Sequence, residues 1–230
     1  MTLSMFDLAG ADPALRFSPF CWRTKMVLAH KGLAFATVPW RFNETAVLAP
    51  SGQSRVPVLV HDGHWISDSW TIARYLDSAF PEKPVFANEM ARAQARLMMS
   101  WCDMVLNPAL IRYALLAVYD SIDEADRAYF RSSREQRLGM SLEATGVDPL
   151  GARKAVASTL APVEQTLADH AFLGGATPTY ADYSLFGSLM WPHVVCREPL
   201  LDPASHVAIW FERMLDLQDG FARKAPTRRN

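Results

Sequence analysis

The hydrophobic pattern of this chain changes once, close to residue 87. Up to about residue 80, short apolar runs alternate with helical patterns, and beyond it almost every segment repeats its apolar residues at helical spacing. Strands that alternate with helices form a sheet covered by helices, whereas a series of helices packs as a bundle. The change predicts an α/β domain over residues 1–80, a linker over 81–87, an all-α domain over 88–222 and a tail over 223–230.

Charge and cysteine content narrow the possible functions. Twenty-three basic and twenty-four acidic residues give a net charge of −1, whereas proteins that bind nucleic acids or membrane surfaces carry a basic face. The three cysteines lack the pattern of a disulfide framework or a metal site, and the six histidines show no metal-binding spacing. No apolar run reaches the length that spans a bilayer. We therefore expect a cytoplasmic protein with no nucleic acid, membrane or metal ion among its partners.

Apolar runs and capping residues predict the elements of the first domain. Ser18-Pro19 indicates the start of the first helix, because serine is a preferred N-cap and proline fits the first helical turn, and Gly32 indicates its end. Asp62-Gly63 is a turn between two strands. The expected strands are Leu3–Leu8, Ala34–Pro39, Val56–Val60 and His64–Ile66, and the second helix is expected at Asp68–Ala79.

Helical periodicity predicts five helices in the second domain. Pro108 should kink the first of them, because proline removes a hydrogen bond inside a helix. Thr179 and Asp182 form a capping-box pattern ahead of a segment that is apolar on nearly every face, which should lie at the centre of the bundle. The expected helices are 88–122, 124–144, 152–171, 183–191 and 203–219.

Several motifs together carry a resemblance to a known family. The first domain carries three motifs in the order seen in the thioredoxin-fold domain of glutathione transferases: SPFC at the start of the first helix, VP at the third strand and DS at the second helix. In the second domain, TPTYADY resembles the signature of the same family. The resemblance covers essentially the whole chain, and SPFCWRTKMVLAHKG is similar to bacterial β-etherases and fungal-type relatives. It implies a thioredoxin-like domain followed by a helical bundle, a homodimer, and glutathione as cosubstrate.

Ser18 is the catalytic residue that the resemblance implies. A thiol with a pKa near 8.5 is only about 3 % ionised at neutral pH, and the N–H groups and dipole of a helix N-terminus favour its thiolate. In the resembled family a serine at this position donates a hydrogen bond to the thiolate of glutathione, although Ser18 could also be a plain N-cap. Cys21 is expected to be a buried core thiol. Phe6 stands where tyrosine-type transferases carry their tyrosine.

The resemblance also implies residues that bind the rest of glutathione. Pro57 would follow a cis peptide bond, and the backbone of Val56 would pair with the cysteinyl part of the ligand. Gln53 or Arg55 would bind the glycyl carboxylate. Two extra residues in this loop, Ser54 and Arg55, leave open which of the two reaches it.

The remaining candidate residues lie at the second helix and in the second domain. Asp68 and Ser69 would bind the ammonium and α-carboxylate of the γ-glutamyl end, although both also suit an ordinary helix cap. Trp101, Met104 and Tyr113 could line an acceptor site, but apolar residues at helical spacing are also typical of a core.

The resemblance predicts that the glutathione thiolate attacks a hydrophobic, aromatic electrophile, such as a β-aryl ether. Three alternatives stay open at this stage. A glutathione-dependent isomerase is one, because the zeta-type SxxxWR pattern is close to SPFCWR. Trp22 and Arg23 of this motif are also compatible with a packing residue and a surface cation. A non-catalytic interaction protein is the second, and a redox enzyme acting through Cys21 is the third.

Overall fold

The computed structural model describes residues 2–229, and its first domain is a four-stranded sheet with helices against it. The elements are β1 (Leu3–Leu8), α1 (Pro19–His30), β2 (Ala36–Trp40), β3 (Val58–His61), β4 (His64–Ser67) and α2 (Ser69–Ala79). The strands lie in the order β2-β1-β3-β4, and β1 runs parallel to β2 and antiparallel to β3. This arrangement confirms the thioredoxin-like fold and the predicted order of its elements.

The second domain consists entirely of helices. They are α3 (Glu89–Trp101), α4 (Asn107–Tyr119), α5 (Glu124–Leu138), α6 (Leu142–Thr145), α7 (Pro149–Asp169), α8 (Tyr180–Val195) and α9 (His206–Gly220). The α/β plus all-α architecture is confirmed. The exact boundaries at residues 80, 88 and 222 stay predictions.

The helical run that contains Pro108 widens just before this proline. A π-helical segment, Cys102–Leu106, joins α3 to α4, and Pro108 lies in the first turn of α4. At this position the absent N–H of proline costs little, because the helical hydrogen bonds have already changed register. One helical run continues from Glu89 to Tyr119, and the kink at Pro108 stays a prediction.

This continuous run is the one helix among residues 2–229 that is long and apolar enough to cross a membrane by length and composition. The expectation that no segment would reach that length is wrong. The run packs against α7 and α8, and 33 % of its most apolar 18-residue window is buried. A second correction concerns the predicted helix 124–144, which is divided because Gly139 adopts a left-handed φ of 67° and ends α5.

Helix α8 lies at the centre of the second domain, as predicted. The Thr179 and Asp182 side chains form the expected capping box at its N-terminus. The Asp182 carboxylate also accepts hydrogen bonds from the Leu173 N–H at 2.8 Å and from Trp210 Nε1 at 3.0 Å. Burial raises the pKa of Asp182 above its usual value. This carboxylate therefore joins α8, α9 and the preceding loop.

Candidate active site

Ser18 caps the N-terminus of α1, as predicted. Its Oγ accepts a hydrogen bond from the Cys21 N–H at 3.3 Å, and only 3 % of the residue is exposed. A hydroxyl has one proton to donate and two lone pairs to accept. The capping bond uses a lone pair, so the proton of Ser18 is left to donate to an anion at the helix end. The catalytic role itself stays a prediction.

Helix α8 holds the N-terminus of α1 through a glycine. A Cβ built at Gly187 would lie 2.4 Å from the backbone oxygen of Pro19, the residue after Ser18. Only a residue without a side chain permits so close an approach of the two helices. The position of Ser18 relative to the second domain is therefore set by backbone contact. Nothing in the local sequence around Gly187 indicated this role, because the contact joins residues far apart in the chain.

Arg23 crosses the domain interface beside this contact. Its side chain is fully buried, and Nη2 lies 2.7 Å from Asp103 Oδ1 and 3.4 Å from Ser188 Oγ. Its guanidinium carbon lies 5.0 Å from the centre of the half-exposed Phe20 ring. The reading of Arg23 as a surface cation is wrong. A buried charge requires a partner, and Asp103 in the π-helical segment supplies it.

Cys21 is a buried thiol, as predicted. Burial, followed by the nearby Asp7 carboxylate, raises its pKa well above the usual value. The other two cysteines are also free and buried, and burial raises the pKa of Cys102 to about 12 and that of Cys196 to about 11. Because the thiolate is the nucleophilic form, none of the three is suited to disulfide exchange at neutral pH.

The loop before β3 places four of the predicted ligand-binding residues together. The Val56–Pro57 peptide bond is cis, as predicted. Pro57 is buried and Val56 is half-buried, whereas Gln53 and Arg55 are both exposed in the turn that precedes them. Either side chain can therefore reach a carboxylate in solvent, and the structure leaves the choice between them open.

The N-terminus of α2 provides a second group of polar residues. Asp68 is the N-cap, accepts a hydrogen bond from the Thr71 N–H at 2.9 Å, and adopts a left-handed φ of 72°. Such a backbone conformation is strained for any residue other than glycine, and it occurs most often at functional sites. Ser69 is buried and faces the hydroxyl of Tyr180, whose pKa burial raises to about 12. Two predicted residues thus lie at helix N-termini, Ser18 at α1 and Ser69 at α2.

Two family models match the chain. The model of the glutathione S-transferase N-terminal domain matches residues 17–79, and the model of the C-terminal domain of the same family matches residues 93–203. The chain belongs to the glutathione S-transferase family.

Other members of the glutathione S-transferase family align along most of the chain. Glutathione S-transferase omega-1 of Mus musculus is 28 % identical over 189 residues, which is 78 % of this chain and 63 % of the mouse protein. The aligned part therefore spans slightly less than two thirds of that relative.

Solved glutathione transferases share the fold. A glutathione S-transferase of Ceriporiopsis subvermispora, crystallised with glutathione, superimposes with a TM-score of 0.77 at 25 % identity, over 98 % of this chain and 95 % of that chain. GSTFuA3 of Phanerochaete chrysosporium gives 0.76 at 24 % identity over 97 % and 95 %. These likenesses confirm the fold. The serine-type and β-etherase-like assignments stay predictions.

Of the residues predicted to line an acceptor site in this glutathione S-transferase, Tyr113 lines a cavity that Trp101 and Met104 do not line. Trp101 is half-buried, and Met104 is 78 % exposed. Tyr113 lines a cavity of about 530 Å³, where its hydroxyl donates to the Glu198 carbonyl at 3.0 Å. Trp101 and Met104 do not line that cavity. Their acceptor role stays a prediction, and periodicity alone could not separate an exposed face from a lining face.

Proposed function

We propose that this chain is a glutathione transferase of the serine type. Glutathione would bind across the two helix N-termini, with its γ-glutamyl end at Asp68 and Ser69 and its cysteinyl part along Val56. Its thiolate would lie at Ser18. The observation that carries the proposal is the capping geometry of Ser18, in which the N–H of Cys21 occupies a lone pair and the hydroxyl proton is left to donate.

The proposed reaction is a displacement by sulfur. The glutathione thiolate attacks an electrophilic carbon of a hydrophobic aromatic acceptor, a C–S bond forms, and the bond from that carbon to its leaving group breaks. With a β-aryl ether as acceptor, the pair of electrons of the C–O bond leaves with the phenolate. No oxidant or reductant is consumed.

Ionisation of the thiol accounts for only part of the rate. A fall of two units in the thiol pKa from about 8.5 raises the thiolate fraction about 25-fold. The less basic thiolate is about eightfold less nucleophilic at a Brønsted slope near 0.45, so the net gain is about threefold. The larger contribution must come from fixing the sulfur against the acceptor carbon, which a short hydrogen bond from a rigid helix end provides.

Ser18→Ala tests the proposed role of the hydroxyl. We expect kcat to fall at least about tenfold, while the KM for glutathione changes less than about threefold, because the other contacts to glutathione remain. Ser18→Thr, which keeps a hydroxyl and a capping oxygen, should recover part of the rate.

Ser205→Ala is the matched control for this experiment. Ser205 caps α9 with the same geometry, its Oγ accepting from the Ala208 N–H at 3.1 Å. Losing either cap costs about 1 kcal/mol of stability, and Ser205→Ala also removes a hydrogen bond to the Asp202 carbonyl at 2.8 Å. A rate loss confined to Ser18→Ala is therefore not a general effect of losing a helix cap. A Ser18→Ala enzyme with unchanged kcat would show that backbone N–H groups or another hydroxyl hold the thiolate.

Two assays refine the acceptor class. Release of phenol from a β-aryl ether in the presence of glutathione supports the ether-cleaving function. Glutathione-dependent isomerisation of a cis-enoic diketo acid, without ether cleavage, favours the isomerase instead.

A homodimer is the proposed assembly. Met90 and Leu97 are 71 % and 73 % exposed, and their seven-residue spacing places both on one face of α3. Large apolar residues exposed in a line are typical of interfaces between subunits. Sedimentation of the wild type should show a dimer, and Leu97→Glu should shift it towards monomer. A wild type that sediments as a monomer contradicts this part of the proposal.

A further inference from the structure

A cavity of about 500 Å³ lies within the second domain, away from the proposed glutathione site. Helix α8 forms one wall with Leu189 and His193, and α9 forms another with Phe211. The loop Pro199–Leu201 closes a third side, and the lining residues belong to the second domain except for Arg229, which lies in the tail. Its volume lies in the range of pockets that hold small organic molecules.

The charged groups on the wall of this cavity already have partners. Arg229 donates from Nε to the Cys196 carbonyl at 3.1 Å and from Nη2 to the Glu198 carbonyl at 3.0 Å. The Glu212 carboxylate lies 2.9 Å from a guanidinium nitrogen of Arg223. Both bonds of Arg229 go to neutral backbone carbonyls, and a neutral ligand would leave these contacts and the Glu212–Arg223 pair intact in a mostly apolar cavity.

His193 is the polar group of the wall whose hydrogen-bonding capacity is unused. Its imidazole makes no hydrogen bond to another of residues 2–229, and its ring centre lies 5.1 Å from that of Phe211. Burial, followed by the positive charge of Arg229, lowers its pKa to about 4. At neutral pH the ring is therefore uncharged, with one N–H donor and one acceptor nitrogen.

We propose that this cavity binds a phenol, with its ring between α8 and α9 and its hydroxyl hydrogen-bonded to His193. A hydroxyl fits a neutral imidazole, because it can donate to the free nitrogen or accept from the N–H. The aromatic ring fits the apolar wall and the face of Phe211. Ile209, which is 49 % exposed, lines the cavity and gives it an apolar edge in contact with solvent. This site is independent of the proposed transferase function.

The test compares 2-naphthol with naphthalene, which differ only by the hydroxyl, in binding to the full-length protein. Ligand-observed NMR is recorded in saturating S-hexylglutathione, which competes for the glutathione site and the space beside it. We expect 2-naphthol to bind about tenfold more tightly than naphthalene, the factor expected of one hydrogen bond. His193→Phe should remove this difference between the two probes.

A second variant keeps the test independent of mutations in the buried helix. Ile209→Trp adds bulk at the cavity edge and should weaken 2-naphthol binding at least tenfold. Val147→Trp is the matched control, since Val147 is 81 % exposed and does not line this cavity. Three results would each overturn the proposal. They are equal affinities of the protein for 2-naphthol and naphthalene, displacement of 2-naphthol by S-hexylglutathione, and an equal loss of 2-naphthol affinity in the two tryptophan variants.

Discussion

Adding one methyl group at Gly187 should displace the helix that carries Ser18. The Cβ of Gly187→Ala would lie 2.4 Å from the Pro19 carbonyl oxygen and 3.0 Å from Arg23 Cγ, whereas ordinary contacts begin at 3.4 Å. The carbonyl belongs to the first turn of α1 and cannot rotate out of the way. The N-terminus of α1 must therefore move by about 1 Å relative to α8, the difference between the two distances.

The displacement should affect stability and catalysis to different degrees. Overpacking costs about 1–3 kcal/mol, and the higher helix propensity of alanine returns about 1 kcal/mol. The net loss of at most about 2 kcal/mol should lower Tm by several degrees. A shift of about 1 Å in a catalytic group can cost about 100-fold in rate, because orientation of the reactants contributes much of the rate enhancement.

Steady-state kinetics with glutathione and an aromatic chloride, together with thermal unfolding, test this reasoning. The rate loss in Gly187→Ala should appear in kcat more than in the KM for glutathione. Ser184→Ala is the control, because it changes a residue of the same helix without adding an atom and its hydroxyl donates to the Tyr180 carbonyl within α8; its kcat should stay within about threefold of the wild type. A Gly187→Ala protein with unchanged kcat and an unchanged or higher Tm would refute the argument.

Three further predictions follow from buried groups of the same structure. Asp182→Ala should lower the free energy of unfolding by about 3–5 kcal/mol in denaturant titration, because several buried donors lose their acceptor; a loss below 1 kcal/mol would contradict this. Iodoacetamide at pH 8 should label Cys21, Cys102 and Cys196 only after denaturation, and rapid labelling of the native protein would show that a thiol is accessible. His193 is neutral when folded, with a pKa of about 4 against about 6.5 when unfolded. Because the unfolded protein binds a proton at His193 more readily, the free energy of unfolding is unaffected by this group above pH 6.5 and falls by up to about 3 kcal/mol as the pH drops to 4. The stability of His193→Phe should be less sensitive to acid over this range.

Residues whose signal is local were predicted well. Ser18, Asp68 and the pair Thr179 and Asp182 were recognised as helix caps, because a cap hydrogen bond joins residues two or three positions apart. The four strands were recognised because apolar runs between turn residues are also local patterns. The cis bond before Pro57 and the assignment of its loop rested on resemblance to the family, since no local pattern distinguishes a cis from a trans proline.

Residues whose role depends on distant contacts were missed or misread. Arg23 resembles a surface cation in the sequence, and its burial depends on Asp103 eighty residues later. Gly187 resembles any glycine in an apolar helix, and its importance comes from the backbone of α1. His193 has no partner motif in the sequence, because its surroundings are built by α9 and the loop before it.

The amino-acid sequence by itself determined the α/β plus all-α architecture and the helix caps, because these depend on short-range hydrogen bonding and on patterns of apolar residues. Its motifs carried the resemblance to the family. The tertiary structure decided which charges are buried, how closely α8 approaches Ser18, and where cavities remain between packed helices. These properties depend on distances between elements far apart in the chain, and such distances are set by side-chain volumes packed at close to crystalline density.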